Sequence, residues 1–291
     1  MNSLYTRLDA LLRSDAGARG FSANAGAADM DALVKAFAAA KCALIITGFP
    51  VEADDGHICC ETDGPIGAAH IARAFCDAGK KAYIATDELC YPQLAAAVRL
   101  RAPNAELIKL NGDMEELMEL GIDTVISIER PGKAQDGHCH TAKGRIIDGW
   151  LGADTDEEFE SLHKHGAKTI AIGDGGNELG TGKLFNVTRR VVDHGEDIAA
   201  AQTADITLAS GVSNWWGWGI AAIASVYLNR NVLPDEHEER AVLRAILDAG
   251  AVDGITKRSE ESIDNIDIDK HIALLNEVRG MVKNHLDKQA E

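Results

Sequence analysis

Six short apolar runs punctuate the chain, spaced so that a helix fits between neighbours: "CALIITG" (42–48), "KAYIAT" (81–86), "AELIKL" (105–110), "DTVISIE" (123–129), "KTIAIG" (168–173) and "DITLAS" (205–210). Near-continuous apolar strands separated by amphipathic segments predict a parallel sheet covered on both faces, because each crossover must satisfy its own backbone hydrogen bonds and bring its own apolar stripe. The expected fold is α/β: a doubly wound, mostly parallel sheet with helices on both faces. Residues 1–40 read as a helical N-terminal region and 235–291 as a helical C-terminal one, with "SEESIDNIDIDKHIALLNEVRGMVKNHLDK" the clearest amphipathic run. No repeat, low-complexity tract or linker interrupts the pattern, so a single domain over 1–291 is expected.

The longest uncharged stretch, Ile206 to Asn229, is long enough to raise a membrane span. Ser210, Ser213, Asn214 and several glycines interrupt it, so a strand, a loop ("GVSNWWGWG") and a buried helix ("IAAIASVYL") explain it better. Trp215, Trp216 and Trp218 in that loop read as core or as an oligomer interface, with a substrate wall as the alternative.

At 46% hydrophobic content, 291 residues can bury one large core or a core with a small appendage. Forty-six acids against 29 Lys and Arg give a net charge of −17, which repels phosphodiester backbones and anionic lipid surfaces and excludes both as partners. Acidic blocks such as "EADD" (52–55), "DTDEEFE" (154–160) and "DEHEER" (235–240) read as solvated faces. The six cysteines form no C-x-x-C pair and the first residues lack the apolar core of a signal peptide, so a cytoplasmic location is expected.

Chemistry-bearing residues gather after the strands, at the sheet edge where open α/β folds bind ligands. In "ETDGPIGAAHIARAF" (61–75), Glu61 and Asp63 stand two apart before a turn glycine and a proline suited to a first helical turn. Two readings are open: Asp63 caps the helix while Glu61 faces water, or the pair converges with Asp174, Asn177 and Glu178 of "IGDGGNELGTGK" (172–183) on a hard divalent cation, Mg²⁺ or Mn²⁺. The second turn holds more glycine than a cap needs, at a cost in conformational entropy, which favours a ligand or metal role there. "SIERPGKAQDGHCHTAKGR" (127–145) supplies Glu129, Arg130, Asp136, His138 and His140; the Arg130 fork suits a carboxylate or phosphate. His138, Cys139 and His140 alternate along a strand-like loop and would close a zinc site only with distant partners. "HICC" (57–60) reads as small apolar packing.

In this order and at these separations, "ETDGPIGA", "SIERPGKAQDG" and "IGDGGNELGTG" resemble the D-glutamate cyclase-like family, over roughly residues 20 to 280. The resemblance implies a metal-containing α/β fold and a lyase interconverting D-glutamate and 5-oxo-D-proline with loss or gain of water. The upstream hydro-lyase-like domain of the family's named cyclase has no counterpart in these 291 residues, and Thr181 stands where the family more often has the methionine of "GMG". Closing glutamate to a lactam needs reduced charge on the carboxyl oxygens and removal of a proton from nitrogen. Asp63, Asp174, Asn177 and Glu178 are therefore the candidate metal ligands. Glu61, Glu178 and Arg130 are the candidate catalytic groups, and Arg130, Glu129, Asp136, Gly175, Gly176 and Asn214 the candidate contacts to a small acidic metabolite, in an expected homo-oligomer.

Two other readings fit parts of the chain. "GDGGNE" resembles the metal loop and "ETDGP" the nucleophile loop of haloacid-dehalogenase-type Mg²⁺ phosphatases, but Glu61 stands where their aspartate nucleophile is needed, and its extra methylene misplaces an in-line attack. A non-catalytic sensor could instead bind a metabolite or metal in the acidic crevice and signal through an interface on the tryptophan loop.

Overall fold

In the computed structural model, which describes residues 3–290, the six apolar runs form one parallel sheet. Its strands are β1 (Cys42–Thr47), β2 (Lys81–Thr86), β3 (Glu106–Lys109), β4 (Thr124–Ile128), β5 (Lys168–Gly173) and β6 (Ile206–Ala209). Their spatial order is β3-β2-β1-β4-β5-β6, every neighbouring pair parallel. The chain thus builds outward from β1 to one edge, then returns to the other side of β1, so that consecutive crossovers diverge between β1 and β4 and leave a crevice at their carboxyl ends.

Alternate residues of a strand face opposite sides of the sheet, and both sides are covered. Ile45, Ile84 and Ile126 join a large core with Phe37, Phe75, Trp216 and Leu275, whereas Leu44, Ile46, Tyr83 and Val125 face a smaller one with Phe159 and Leu162. The first core is closed by α1 (Ser3–Leu12), α2 (Met30–Ala39), α3 (Pro65–Asp77), α4 (Tyr91–Arg101), and, later in the chain, by a long helix over Trp215–Tyr227, which packs directly on α3. That approach depends on glycine: a Cβ on Gly217 would stand 2.7 Å from Gly67 Cα.

The helix over Trp215–Tyr227 begins inside the stretch expected to be a loop, and the three tryptophans are core. Trp215 Nε1 donates to His271 Nδ1 (2.9 Å), Trp216 Nε1 to the Ala209 carbonyl (3.0 Å) and Trp218 Nε1 to Glu239 Oε2 (3.2 Å). With their rings and donors satisfied within the chain, they form neither a substrate wall nor a surface for a second copy. Among the described residues, no helix is long and apolar enough to cross a membrane.

The C-terminal region departs from the expected helix. A two-stranded hairpin, Ser262–Ile263 with Ile266–Asp267, precedes the last helix, Ile268–Ala290. Asp264 and Asn265 form its tip with φ of 57° and 59°, the left-handed pair that a two-residue hairpin turn requires and that Asp and Asn tolerate.

Candidate functional site

Four separate stretches bring carboxylates to the crevice. After β1, a hairpin (Pro50–Glu52 with Ile58–Cys60) returns the chain to the sheet rim. Glu61 follows, bridged to Val252, and then Asp63 just before α3. Asp63 Oδ1 accepts from the Asn214 and Gly64 amides (2.8 and 3.0 Å) and Oδ2 from the Ser213 amide (2.8 Å). Asn214 completes the clasp: its Oδ1 accepts from the Gly64 and Gly67 amides (2.9 and 2.7 Å) and its Nδ2 donates to the Thr62 carbonyl (3.0 Å). The side chain expected to meet substrate is thus committed to fastening the loop after β6 onto the first turn of α3. The capping reading of Asp63 fails: Gly64 holds the N-cap position of α3 with no side-chain cap bond, Asn214 Oδ1 takes the Gly64 and Gly67 amides instead, and Glu61 is buried rather than facing water.

Beyond β5, Glu178 folds back over its own turn. Its Oε1 accepts from the Asp174 and Gly175 amides (3.0 and 2.6 Å) and its Oε2 from the Gly176 amide (2.8 Å). Gly175 and Gly176 therefore aim their N–H groups at Glu178 and hold the turn that presents Asp174. Asn177 Nδ2 donates to the His140 carbonyl (2.9 Å), tying the turn to the loop after β4. At the end of β4, Glu129 adopts φ of 43°, a strained conformation for a glutamate. That twist delivers its carboxylate inward, where Oε2 accepts from Ser213 Oγ (2.6 Å).

Two triads result. Ligand atoms of Asp63, Asp174 and Asp264 lie within 4.8 Å of one another, as do those of Glu129, Asp174 and Glu178, and Asp174 belongs to both. All five residues are buried, and Asp174 Oδ2 has no hydrogen-bond partner. One guanidinium enters the cluster. Arg19 forms an ion pair with Asp174 through Nη1, and its Nη2 lies 2.9 Å from Asp264 Oδ2.

The electrostatics follow from that crowding. Burial, reinforced by Asp264, raises Asp63 to about 8 despite the opposing amides of Asn214 and Ser213 and the Arg19 charge. Burial pushes Glu61 well above the usual carboxylate range, with Asp264 and Asp63 adding to it and Lys257 and Arg19 opposing. Burial also raises Glu129, helped by Asp174, Glu178 and Asp63. It raises Asp174 against the pull of Arg19, and Glu178 against its backbone donors. Burial alone would lower Arg19, but Asp174, Asp264, Glu129 and Asp63 hold it above its ordinary value. A buried carboxylate oxygen without a partner is costly, and an all-carboxylate donor set around it suits a hard divalent cation such as Mg²⁺ or Mn²⁺.

The remaining expected residues lie elsewhere. Arg130 is fully buried and turned away from this cluster: Nη1 donates to Asp87 Oδ2 (2.8 Å) and the Gly48 carbonyl (3.4 Å), and Nε to Thr155 Oγ1 (3.2 Å). Asp136 is exposed and pairs with His140 Nε2 (3.2 Å). His138 is exposed and bonds Asp148 (2.6 Å), while Cys139 packs against Phe49 and Ile147. Asp264 and Arg19 escaped the sequence reading. The "DN" pair at 264–265 carried a hairpin signal that could have located Asp264; nothing local marked Arg19.

A family profile described as "D-glutamate cyclase-like, C-terminal" matches residues 8–279. The chain is also similar to the human (Homo sapiens) protein named "D-glutamate cyclase, mitochondrial", with 30% identity over 225 residues, which are 67% of this chain and 36% of that protein. It therefore spans little more than a third of this relative's length.

Proposed function

The chain belongs to the D-glutamate cyclase-like family, C-terminal type, and from that premise we propose that it is a metal-dependent lyase interconverting D-glutamate and 5-oxo-D-proline plus water. The observation that carries this reading is the convergence of Glu61, Asp63, Glu129, Asp174, Glu178 and Asp264 at the β1/β4 crevice. Asp63, Asp174 and Asp264, or Glu129, Asp174 and Glu178, would hold a divalent ion, Mg²⁺ or Mn²⁺. When bound, such an ion lowers the negative charge on the substrate's carboxyl oxygens and polarises the ring carbonyl in the reverse direction.

Glu61 belongs to neither triad and is the residue we assign to proton transfer. Cyclisation joins the amine nitrogen to the side-chain carboxyl carbon; one proton leaves nitrogen and one reaches the departing hydroxyl, giving water. A buried carboxyl held well above the usual carboxylate range binds a proton more tightly than an exposed one, and can take the first and return the second. Glu178, saturated by three amides, holds the Asp174 turn in shape, and Asn177 supports it through His140. A reducing, cytoplasmic setting belongs to the same proposal, in keeping with six free cysteines.

The test is turnover by purified protein with Mn²⁺ or Mg²⁺, offered D-glutamate, 5-oxo-D-proline and a panel of phosphate esters. Interconversion of the first two is expected, and Glu61→Gln should lower it by about 100-fold or more while Mn²⁺ binding persists. Turnover of phosphate esters alone would favour the hydrolase reading. Full tolerance of Glu61→Gln with ligand binding but no turnover would favour a sensor.

A further inference from the structure

An acidic substrate faces an electrostatic obstacle here: six buried carboxylates line the crevice it must enter. A divalent ion offsets part of that charge, yet it is held by those same groups. The reacting carboxyl is one end of the substrate; the other carboxylate, present in both the open and the cyclic form, needs a fixed cation of its own. Arg130 is paired with Asp87 and has no ion pair to any of these carboxylates among the described residues. Lys257 acts on Glu61 at a distance, with no ion pair to any of these carboxylates among the described residues.

Arg19 has the required position. It lies between α1 and a short helix, Phe21–Asn24, on a segment fastened at both ends. The amides of Arg19 and Gly20 donate to the Asp15 carboxylate (3.1 and 3.0 Å), and the Gly211 amide, in the loop after β6, donates to the Leu12 carbonyl (2.9 Å). The N-terminal segment is thereby strapped across the sheet rim, with one side chain reaching inward. The Arg19 side chain is 23% exposed, against 1% for Asp174 and 4% for Asp264, so of these three it is the one that reaches out toward solvent. Among the described residues its one aligned hydrogen bond is to Asp174; the approach to Asp264 is an ion pair without hydrogen-bond alignment. N–H donors of a five-donor fork thus stay available to a carboxylate arriving from solvent.

We propose that Arg19 is the substrate-carboxylate anchor of this site, the group that allows an acidic crevice to accept a small carboxylic acid. The proposal rests on the cyclase reading for the identity of that acid, but not for the class of ligand. Arg19 holds the carboxylate that survives the reaction unchanged, so it acts equally on the open and the cyclic form.

The test uses Arg19→Gln and Arg19→Lys in the full chain, with Mn²⁺ present. Arg19→Lys keeps a charge beside Asp174 and Asp264 and controls for loss of folding, checked by thermal denaturation. Calorimetric binding of 5-oxo-D-proline is compared with that of 2-pyrrolidinone, the same ring without the carboxylate. Arg19→Gln should weaken 5-oxo-D-proline by about 10- to 100-fold and leave 2-pyrrolidinone unchanged, so that the preference between them collapses; Arg19→Lys should fall between. For turnover, KM for D-glutamate should rise more than kcat falls. Equal binding of 5-oxo-D-proline by the parent and a folded Arg19→Gln overturns the proposal, as does joint loss of Mn²⁺ and both ring ligands. If the parent binds glutarate or succinate but neither D-glutamate nor 5-oxo-D-proline, the cyclase reading fails, and Arg19 stands or falls on whether Arg19→Gln loses those acids. If the parent binds no carboxylic acid, both fail.

Discussion

Stripped of cations by a chelator, the protein should lose stability as the pH rises. Asp63 supplies the clearest magnitude. Its carboxyl titrates at about 8 in the fold because of burial, reinforced by Asp264, against about 3.9 in an unfolded chain. A group with a raised folded pKa contributes stability that is complete below the unfolded value and is lost as pH climbs through the folded one. The slope is about 1.4 kcal/mol per pH unit, so roughly 4 kcal/mol should disappear between pH 5 and 8. At about 2 to 4 °C per kcal/mol for a domain near this size, Tm should fall by about 10 °C. Saturating Mn²⁺ should offset most of that loss and flatten the slope, since a cation binds the ionised carboxylates and adds about 3 kcal/mol at a hundredfold excess over Kd. The assay is thermal denaturation from pH 5 to 8.5, with chelator and with Mn²⁺, on the parent and on Asp63→Asn. The variant removes the titration but sets an amide N–H₂ against the Ser213 amide that Oδ2 now accepts, so it should be less stable by about 1 to 3 kcal/mol at low pH and show a flatter slope. A chelated parent with Tm independent of pH, or a slope that Asp63→Asn leaves intact, would refute the reasoning.

Two further outcomes follow from buried groups near the crevice. Glu158 is buried with both carboxylate oxygens unpartnered, and burial raises it to about 7 against the pull of Arg130; the same sign rule makes Glu158→Gln increasingly more stable than the parent as pH rises from about 4 to 7, with the difference levelling off above that at about 3 kcal/mol in urea denaturation. At Gly254, an added Cβ would stand 1.8 Å from Glu61 Oε2, so Gly254→Ala should displace that carboxyl and cut D-glutamate turnover about 10-fold or more at a stability cost of about 1 to 3 kcal/mol; unchanged kcat would remove Glu61 from the proton path.

The sheet was legible because burial on both faces leaves unbroken apolar runs, and β1 and β4 are buried at every residue. The turn carrying Asp174 and Glu178 was legible too, since three successive amides can close on one carboxylate only where glycines let the backbone fold that tightly. The hairpin at 262–267 was hidden by a helix-like apolar spacing that the left-handed turn at Asp264 and Asn265 overrode.

By itself, the order of residues determined the class of fold, the edge of the sheet where chemistry collects and a set of oxygen donors, because those depend on local periodicity and on turn chemistry. Tertiary structure alone decided which charges meet. Asp264 reaches Asp63 from two hundred residues away, Arg19 reaches Asp174 across 155, and Arg130, one residue from Glu129, turns to Asp87 instead. Whether a buried charge faces a partner or a like charge is settled by packing over such separations, and neighbouring residues carry no record of it.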